Sequence, residues 1–305
     1  MRLRAQNLDG PFTGTRLAWV EHGDPTAAEI VVCVHGLTRN AHDFDEIAAA
    51  LAASGRRVLA IDVMGRGRSS WASDPKAYAV PVYAAQIARL LELLALPPVD
   101  WIGTSMGGLI GMALAAQDRP PLRRLVLNDV GPLIPATGLW PIKAYLGLDL
   151  SFASLDELEQ HLRQIHHAFG PLEDAQWRRM AEHSARRDGD RFRLHYDPLI
   201  REGFAELGAE DLELWPAWDR IAVPTLVLRG EQSTLLPAEV AAEMTRRGPR
   251  AELVTIPGVG HAPALVDPAQ IAVVREWLDR PLPTQALPAA SGAPAAQASG
   301  GASNT

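Results

Sequence analysis

Short apolar runs alternate with stretches of helical spacing along most of the chain. Few polar residues occur in the runs at residues 29–34, 57–61, 99–103 and 125–128. Apolar runs of this kind are typical of strands that are buried on both faces of a sheet. Further strands are predicted at 17–21 (an edge strand), 225–229 and 252–256, and helices at 45–53, 82–95, 107–116, 238–247 and 271–278. The pattern therefore predicts an α/β fold, with a mostly parallel sheet and helices on both faces.

The alternation stops between residues 133 and 217. This stretch has helical spacing at 155–168 and 174–187 but no clear strand pattern. We therefore predict a core domain at 1–132 and 218–280 and a helical cap at 133–217. The cap is rich in aromatic residues, which either hold it to the core or line an apolar pocket. For any single aromatic residue we favour the core interpretation.

Composition and charge narrow the range of functions. The chain has 305 residues, 29 basic and 36 acidic, giving a net charge of −7, which does not favour binding to a nucleic-acid backbone. Its one cysteine, Cys33, excludes an internal disulfide and a Cys-rich metal site. The sequence contains neither a run of about 18 apolar residues nor a signal-peptide pattern, so we expect a cytoplasmic protein. Residues 281–305, rich in Ala, Pro, Ser and Gly, predict a disordered tail.

The most informative segment runs from residue 103 to residue 107 and reads G-T-S-M-G. It follows a predicted strand and precedes a predicted helix of small residues. In that context G-x-S-x-G is typical of a strained turn that raises a nucleophilic serine, here Ser105, beside a helix N-terminus. A plain turn with a helix-capping serine is the simpler alternative, and the flanking strand and helix argue against it.

A histidine suited to act as base lies near the C-terminal end of the predicted core. His261 follows a predicted strand, in a loop of Gly and Pro residues that reads PGVGHAP. An imidazole there can accept the proton of Ser105 and return it to a leaving group. Three other histidines, His161, His166 and His167, share a predicted helix but lack carboxylate or Cys partners at ligand spacing. We therefore expect no metal site.

These marks together resemble the α/β-hydrolase superfamily, in its cofactor-free serine esterase and lipase-like branch with a helical cap. The resemblance covers residues 17–278. It rests on His35-Gly36 after a central strand, the DxxGxGxS segment at 62–69, the Ser105 turn and the GVGH segment at 258–261. It implies that His261 is the triad base, that His35 holds its loop rather than acting as a base, and that no cofactor is needed.

The residue that orients His261 departs from the family's usual pattern. Most members place an Asp after the penultimate strand, but here that loop reads GEQSTLLP and contains no Asp. Some members place the acid after an earlier strand, which makes Asp129 the preferred candidate. Asp129 could alternatively order the loop that leads into the cap. Glu231 is the reserve candidate, and a Ser–His dyad helped by water is a further option.

The resemblance also implies an oxyanion hole built from the backbone amides of Leu37 and Met106. The expected reaction is hydrolysis of small to medium acyl esters through an acyl-enzyme on Ser105. A small-molecule ester is the expected partner, and a homodimer is left open. The same residues could instead cleave a C–C bond, a lactone or a thioester, or the chain could be a ligand-binding homologue with little turnover.

Overall fold

The chain folds around one large sheet in the computed structural model, which describes residues 1–205 and 209–282. The strands are β1 (Arg2–Asn7), β2 (Arg16–His22), β3 (Ile30–Val34), β4 (Arg57–Asp62), β5 (Val99–Thr104), β6 (Leu122–Asn128), β7 (Leu133–Ile134), β8 (Ala185–Asp188), β9 (Arg191–Leu194), β10 (Leu212–Glu213), β11 (Thr225–Gly230) and β12 (Glu252–Ile256). Eight of them form the sheet in the order β1-β2-β4-β3-β5-β6-β11-β12. Strand β2 pairs antiparallel with both β1 and β4, and the remaining pairs are parallel.

Helices cover both faces of this sheet. The α-helices of the described residues, including those of an insertion between two strands, are α1 (Asp45–Ala53), α2 (Val80–Leu93), α3 (Met106–Ala115), α4 (Ala136–Tyr145), α5 (Leu155–Ile165), α6 (Asp174–Ser184), α7 (Ile200–Gly203), α8 (Trp215–Trp218), α9 (Ala238–Met244) and α10 (Pro268–Asp279). Side chains from α2 and α3, such as Ile87 and Ile110, pack in one large apolar cluster. Leu51 of α1 and Trp277 of α10 pack in a second cluster. The central parallel strands β3, β4, β5, β6 and β11 are buried along almost their whole length, as their apolar runs predict, whereas the edge strand β12 has one buried residue.

One predicted strand position is wrong. The run at 17–21 was expected at the edge of the sheet, but β1 pairs along its outer side in the register Arg2↔Glu21 to Asn7↔Arg16. The sequence of β1, RLRAQN, is polar and almost wholly exposed. Such a strand has no buried face, so it lacks the hydrophobic alternation by which strands are detected.

The insertion, defined here as residues 133–217, lies between β6 and β11, which are neighbours in the sheet. It contains α4 to α7 and has a small apolar core of its own, built around Phe152, Leu158, Leu162, Trp177 and Ala181. Phe152 and Trp177 are buried in this separate core and therefore do not hold the insertion to the sheet. Tyr196 is buried in the large apolar cluster of the sheet, as the core interpretation predicts, whereas Tyr145 lines a cavity. The division into a core domain and a cap remains a prediction.

The insertion also contains strands that were not expected. The predicted helix at 174–187 ends at Ser184, and β8 then pairs with β9 in a hairpin that turns at Gly189, with φ of +63°. Asp188-Gly189 is a turn signal in the sequence, but the polar residues before it are equally compatible with an exposed helix face. Strands β7 and β10 pair where the chain enters and leaves the insertion.

Two sequence predictions concern membrane crossing and the C-terminal tail. In the described part of the chain, no helix combines the length and apolar character needed to cross a bilayer. The predicted disordered tail falls on residues 281–305, and from 283 onward these lie outside the described residues.

Candidate active site

Ser105 stands on a sharp turn between β5 and α3. Its φ of +52° lies in the left-handed region, which is unfavourable for a residue with a side chain. Both flanking glycines are required by close packing. A Cβ on Gly107 would lie 1.9 Å from the carbonyl oxygen of Val34, and one on Gly103 would lie 2.3 Å from that of Gly107. The G-x-S-x-G spacing therefore follows from the geometry of this turn.

A chain of hydrogen bonds connects Ser105 to a buried carboxyl group. Oγ of Ser105 lies 2.9 Å from Nε2 of His261, and Nδ1 of His261 lies 2.8 Å from Oδ2 of Asp129. The side chain of His261 is 19% exposed whereas that of Asp129 is fully buried. His261 sits in the loop after β12 and Asp129 directly after β6, so the carboxyl ends of the parallel strands bring them together.

Asp129 is held by three hydrogen bonds. Besides the bond to His261, its carboxylate accepts hydrogen bonds from the backbone amide of Gly230 at 2.8 Å and from the hydroxyl of Ser233 at 2.6 Å. A buried carboxylate is stable only when donors replace its hydration, and these bonds supply that replacement. Ser233 lies in the loop after β11, the loop that lacks an Asp.

Glu231, the reserve candidate, makes a different contact. Its Oε2 accepts a hydrogen bond from the backbone amide of Gly258 at 2.9 Å. The carboxylate thus stabilises the start of the loop that carries His261, and Nδ1 of His261 is bonded to Asp129 instead.

The loop after β3 passes beside the serine. A Cβ on Gly36 would lie 3.7 Å from Cβ of Ser105, so the next residue, Leu37, is a neighbour of the nucleophile. Met106 is the first residue of α3, where a backbone amide has no acceptor within the helix. These positions are compatible with an oxyanion hole made from the amides of Leu37 and Met106.

His35 supports this loop. Nε2 of His35 accepts a hydrogen bond from the backbone amide of Val63 at 3.0 Å. The ring proton is therefore on Nδ1, which donates a hydrogen bond to the carbonyl oxygen of Gly36 at 2.7 Å. Burial lowers the pKa of His35 to about 3, which keeps the ring neutral in this arrangement. The ring contacts backbone on both sides, as expected for a residue that orders the loop.

A cavity of about 350 Å³ opens onto the Ser105 hydroxyl. One wall comes from the loops at the sheet edge and includes Leu37 and His261. The opposite wall comes from the insertion and includes Ile142, Tyr145 and Ile165. A volume of this size suits a small ligand. Arg39 also lines the cavity, but its guanidinium already donates hydrogen bonds to the side chains of Asp43 and Ser184.

A model of the alpha/beta hydrolase fold family matches residues 29–268. The chain is an α/β hydrolase. It is 43% identical over 271 residues to a 3-hydroxybutyrate-oligomer hydrolase of Cupriavidus necator, a match that covers 86% of this chain and 92% of that protein. An sn-1-specific diacylglycerol lipase of Mus musculus is 29% identical over 252 residues, covering 78% of this chain and 76% of the lipase.

Solved structures agree with this assignment. A crystal structure of a protein from Rickettsia typhi superposes with a TM-score of 0.85 at 31% identity, covering 91% of this chain and 99% of that one. An α/β hydrolase from Novosphingobium aromaticivorans superposes with a TM-score of 0.80 at 35% identity, covering 90% and 98% of the two chains.

Two residues of this α/β hydrolase were not foreseen as parts of the site. One is Ser233, whose hydroxyl bonds to Asp129. The other is Arg66, which is fully buried and donates to the carbonyl of Leu37 at 2.8 Å and to the hydroxyl of Tyr83 at 2.6 Å. Its guanidinium also approaches Sδ of Met106 at 3.5 Å. The only sequence signal for Arg66 was its place inside the DxxGxGxS segment.

Proposed function

We propose that this α/β hydrolase cleaves carboxylic esters of small to medium acyl chains through an acyl-enzyme on Ser105. The observation that carries the proposal is the hydrogen-bonded chain Ser105–His261–Asp129, whose serine end opens into the 350 Å³ cavity. A nucleophile, a base and an orienting carboxylate in this geometry are the requirements for acyl transfer.

In the first half of the reaction, Nε2 of His261 takes the proton of Ser105 as Oγ bonds to the acyl carbon. The carbonyl π electrons move to oxygen, and the amides of Leu37 and Met106 donate hydrogen bonds to the resulting oxyanion. When the tetrahedral intermediate collapses, the bond to the alcohol oxygen breaks and His261 returns the proton to it. The carboxylate of Asp129 keeps the proton of His261 on Nδ1 and stabilises the imidazolium.

The second half repeats these steps with water. His261 takes a proton from water, whose oxygen bonds to the acyl carbon. Collapse of the second tetrahedral intermediate breaks the bond to Oγ of Ser105 and returns the proton to it. The products are a carboxylic acid and the free serine.

The identity to the 3-hydroxybutyrate-oligomer hydrolase narrows the substrate class. We infer that short oligoesters of a small hydroxy acid are substrates. The cavity suits them because apolar residues such as Ile142 and Ile165 share it with polar residues such as Thr38, Gln232 and Thr234. Methyl branches and ester or hydroxyl oxygens can each find a matching surface there. The cytoplasmic location and the homodimer remain predictions from the sequence.

The test is hydrolysis of p-nitrophenyl esters from acetate to decanoate, together with the dimer and trimer of 3-hydroxybutyrate. We compare wild type, Ser105→Ala and the control Ser54→Ala, whose hydroxyl bonds to a backbone carbonyl at the end of α1. We expect Ser105→Ala to lose at least about 10⁴-fold in kcat and the control to lose nothing. Full turnover by Ser105→Ala would refute the assignment of Ser105 as the nucleophile. Inactivity of the wild type on every ester would refute the proposed substrate class.

A further inference from the structure

Four side chains from distant parts of the sequence meet at the junction of the sheet core and the insertion. His22 is the last residue of β2, and Asp45 is the first residue of α1. His42 lies in the short 3-10 helix that precedes α1, and His183 lies in the last turn of α6. One ligand atom from each of His42, Asp45 and His183 lies within 4.8 Å of the other two. The hydrolytic mechanism uses none of these residues.

Asp45 is the centre of this cluster. Its Oδ2 lies 2.9 Å from Nδ1 of His42, and its Oδ1 lies 3.4 Å from Nε2 of His22. The rings of His42 and His183 stack in parallel, with centroids 3.6 Å apart. The cluster therefore brings a carboxylate and three imidazoles together from both sides of the junction.

Two observations show that the cluster can accept a further ligand. His22 is only 7% exposed, and its Nε2 and the facing Oδ1 of Asp45, 3.4 Å away, form no well-oriented hydrogen bond with each other or with any other described residue. Buried polar atoms of this kind are rare and call for an explanation. In addition, His42, Asp45 and His183 line a cleft of about 50 Å³, which has room for an ion and a water molecule.

The charges around the cleft favour a cation. The neighbouring acids Asp43 and Glu46 are paired with Arg39 and Arg179. Among the described residues, Asp45 has only histidine partners. Its negative charge is therefore balanced by no guanidinium or ammonium group.

We propose that His42, Asp45 and His183 form a binding site for a divalent transition-metal ion such as Zn²⁺, with His22 facing the carboxylate of Asp45. Imidazole nitrogens with one carboxylate oxygen are ligands that Zn²⁺ prefers, and these three groups with one water molecule can complete a tetrahedral shell. Bonds of about 2.0–2.1 Å place ligand atoms about 3.3 Å apart, so the ligand atoms of these three residues, which lie within 4.8 Å of one another, need to approach by at most about 1.5 Å. The stacked rings of His42 and His183 must also turn out of parallel, so that the lone pair of each nitrogen points at the ion.

Bound metal would fasten the insertion to the sheet core. His183 belongs to the insertion, whereas the other two ligands, His42 and Asp45, belong to the core. Two hydrogen bonds already connect the end of α6 to the loop after β3. The Ser184 hydroxyl accepts one from the guanidinium of Arg39 at 3.0 Å, and the carbonyl oxygen of His183 accepts one from the side-chain amide of Asn40 at 3.2 Å. Because Arg39 lines the cavity, the ion would fix one wall of the site without touching the reacting atoms.

The experiment is titration of the metal-stripped full chain with Zn²⁺ alone, followed by calorimetry and thermal unfolding. The variants are His183→Gln and His42→Gln. The matched control is His161→Gln, which removes another insertion histidine, packed against Phe152. Because binding and unfolding are measured without a substrate, this test is independent of the proposed hydrolytic function.

We expect one Zn²⁺ per chain with a micromolar or tighter dissociation constant. At a Zn²⁺ concentration 100 times that constant, Tm should rise by about 5 °C. Each cluster variant should weaken binding at least tenfold, and His161→Gln should bind as wild type does. Co²⁺ should bind with the visible absorption of a four-coordinate ion. Absence of binding to the wild type, or equal binding by wild type and both cluster variants, would overturn the proposal.

Discussion

The substitution Asp129→Asn tests the proposed role of the buried carboxylate with almost no change in volume. In the native site, the oxygens of Asp129 accept hydrogen bonds from Gly230, Ser233 and His261. An Asn that keeps its oxygen toward Gly230 presents an NH₂ group to His261. Nδ1 must then accept a hydrogen bond, so the ring proton moves to Nε2, where it faces the serine hydroxyl.

The magnitude follows from this tautomer change. With its proton on Nε2, His261 cannot take the proton of Ser105, and a wrong tautomer of a triad histidine costs about 10⁴-fold in kcat, or about 5.4 kcal/mol. Turning the Asn amide around restores the acceptor for His261 but sets two donors against each other at Gly230. That alternative leaves a buried amide unsatisfied, at a cost of about 1–3 kcal/mol.

The assay is kcat/KM on p-nitrophenyl butyrate, with Tm measured on the same preparations. The matched control is Glu231→Gln, which alters the reserve carboxylate and leaves the His261–Asp129 bond intact. We expect Asp129→Asn to lose about 10⁴-fold and Glu231→Gln to lose less than about tenfold. If Asp129→Asn keeps more than a tenth of the wild-type rate while Glu231→Gln collapses, the assignment of the acid is refuted.

Three further predictions concern the turn at Ser105, the buried Arg66 and the buried thiol of Cys33. Gly107→Ala should lower Tm by at least about 5 °C and abolish turnover, because its Cβ would meet the Val34 carbonyl at 1.9 Å; unchanged melting and activity would contradict this. Arg66→Lys should lower kcat at least about tenfold with KM little changed, since an ammonium cannot hold Leu37 and Tyr83 together; wild-type kcat would contradict this. Burial raises the pKa of the Cys33 thiol, so at pH 8 a disulfide reagent should label the unfolded chain once and the native chain hardly at all; rapid native labelling would contradict this.

Much of the fold could be predicted because the central strands are buried on both faces. The predicted bounds at 57–61, 99–103 and 225–229 each agree to within one residue with the buried strands β4, β5 and β11. Segments whose side chains face solvent gave no such signal. Strand β1 is polar and almost wholly exposed, and the β8–β9 hairpin contains no fully buried residue, so their conformation depends on pairing rather than on burial.

The site could be predicted only as far as local patterns extend. The turns around Ser105 and His261 have glycine spacings that local geometry requires. Asp129 has no such signature, and it was selected because the loop after β11 lacks an Asp. The contact between Ser233 and Asp129 joins residues 104 positions apart, and it arises only where β6 and β11 lie side by side.

The central claim is that an acyl group is transferred to Ser105. The most direct measurement is mass spectrometry of the intact chain, quenched in acid during turnover of p-nitrophenyl butyrate, followed by peptide mapping. We predict one butyryl group per chain, located on Ser105 and absent from Ser105→Ala. A butyryl group on another residue, or undiminished turnover by Ser105→Ala without a covalent adduct, would contradict the account.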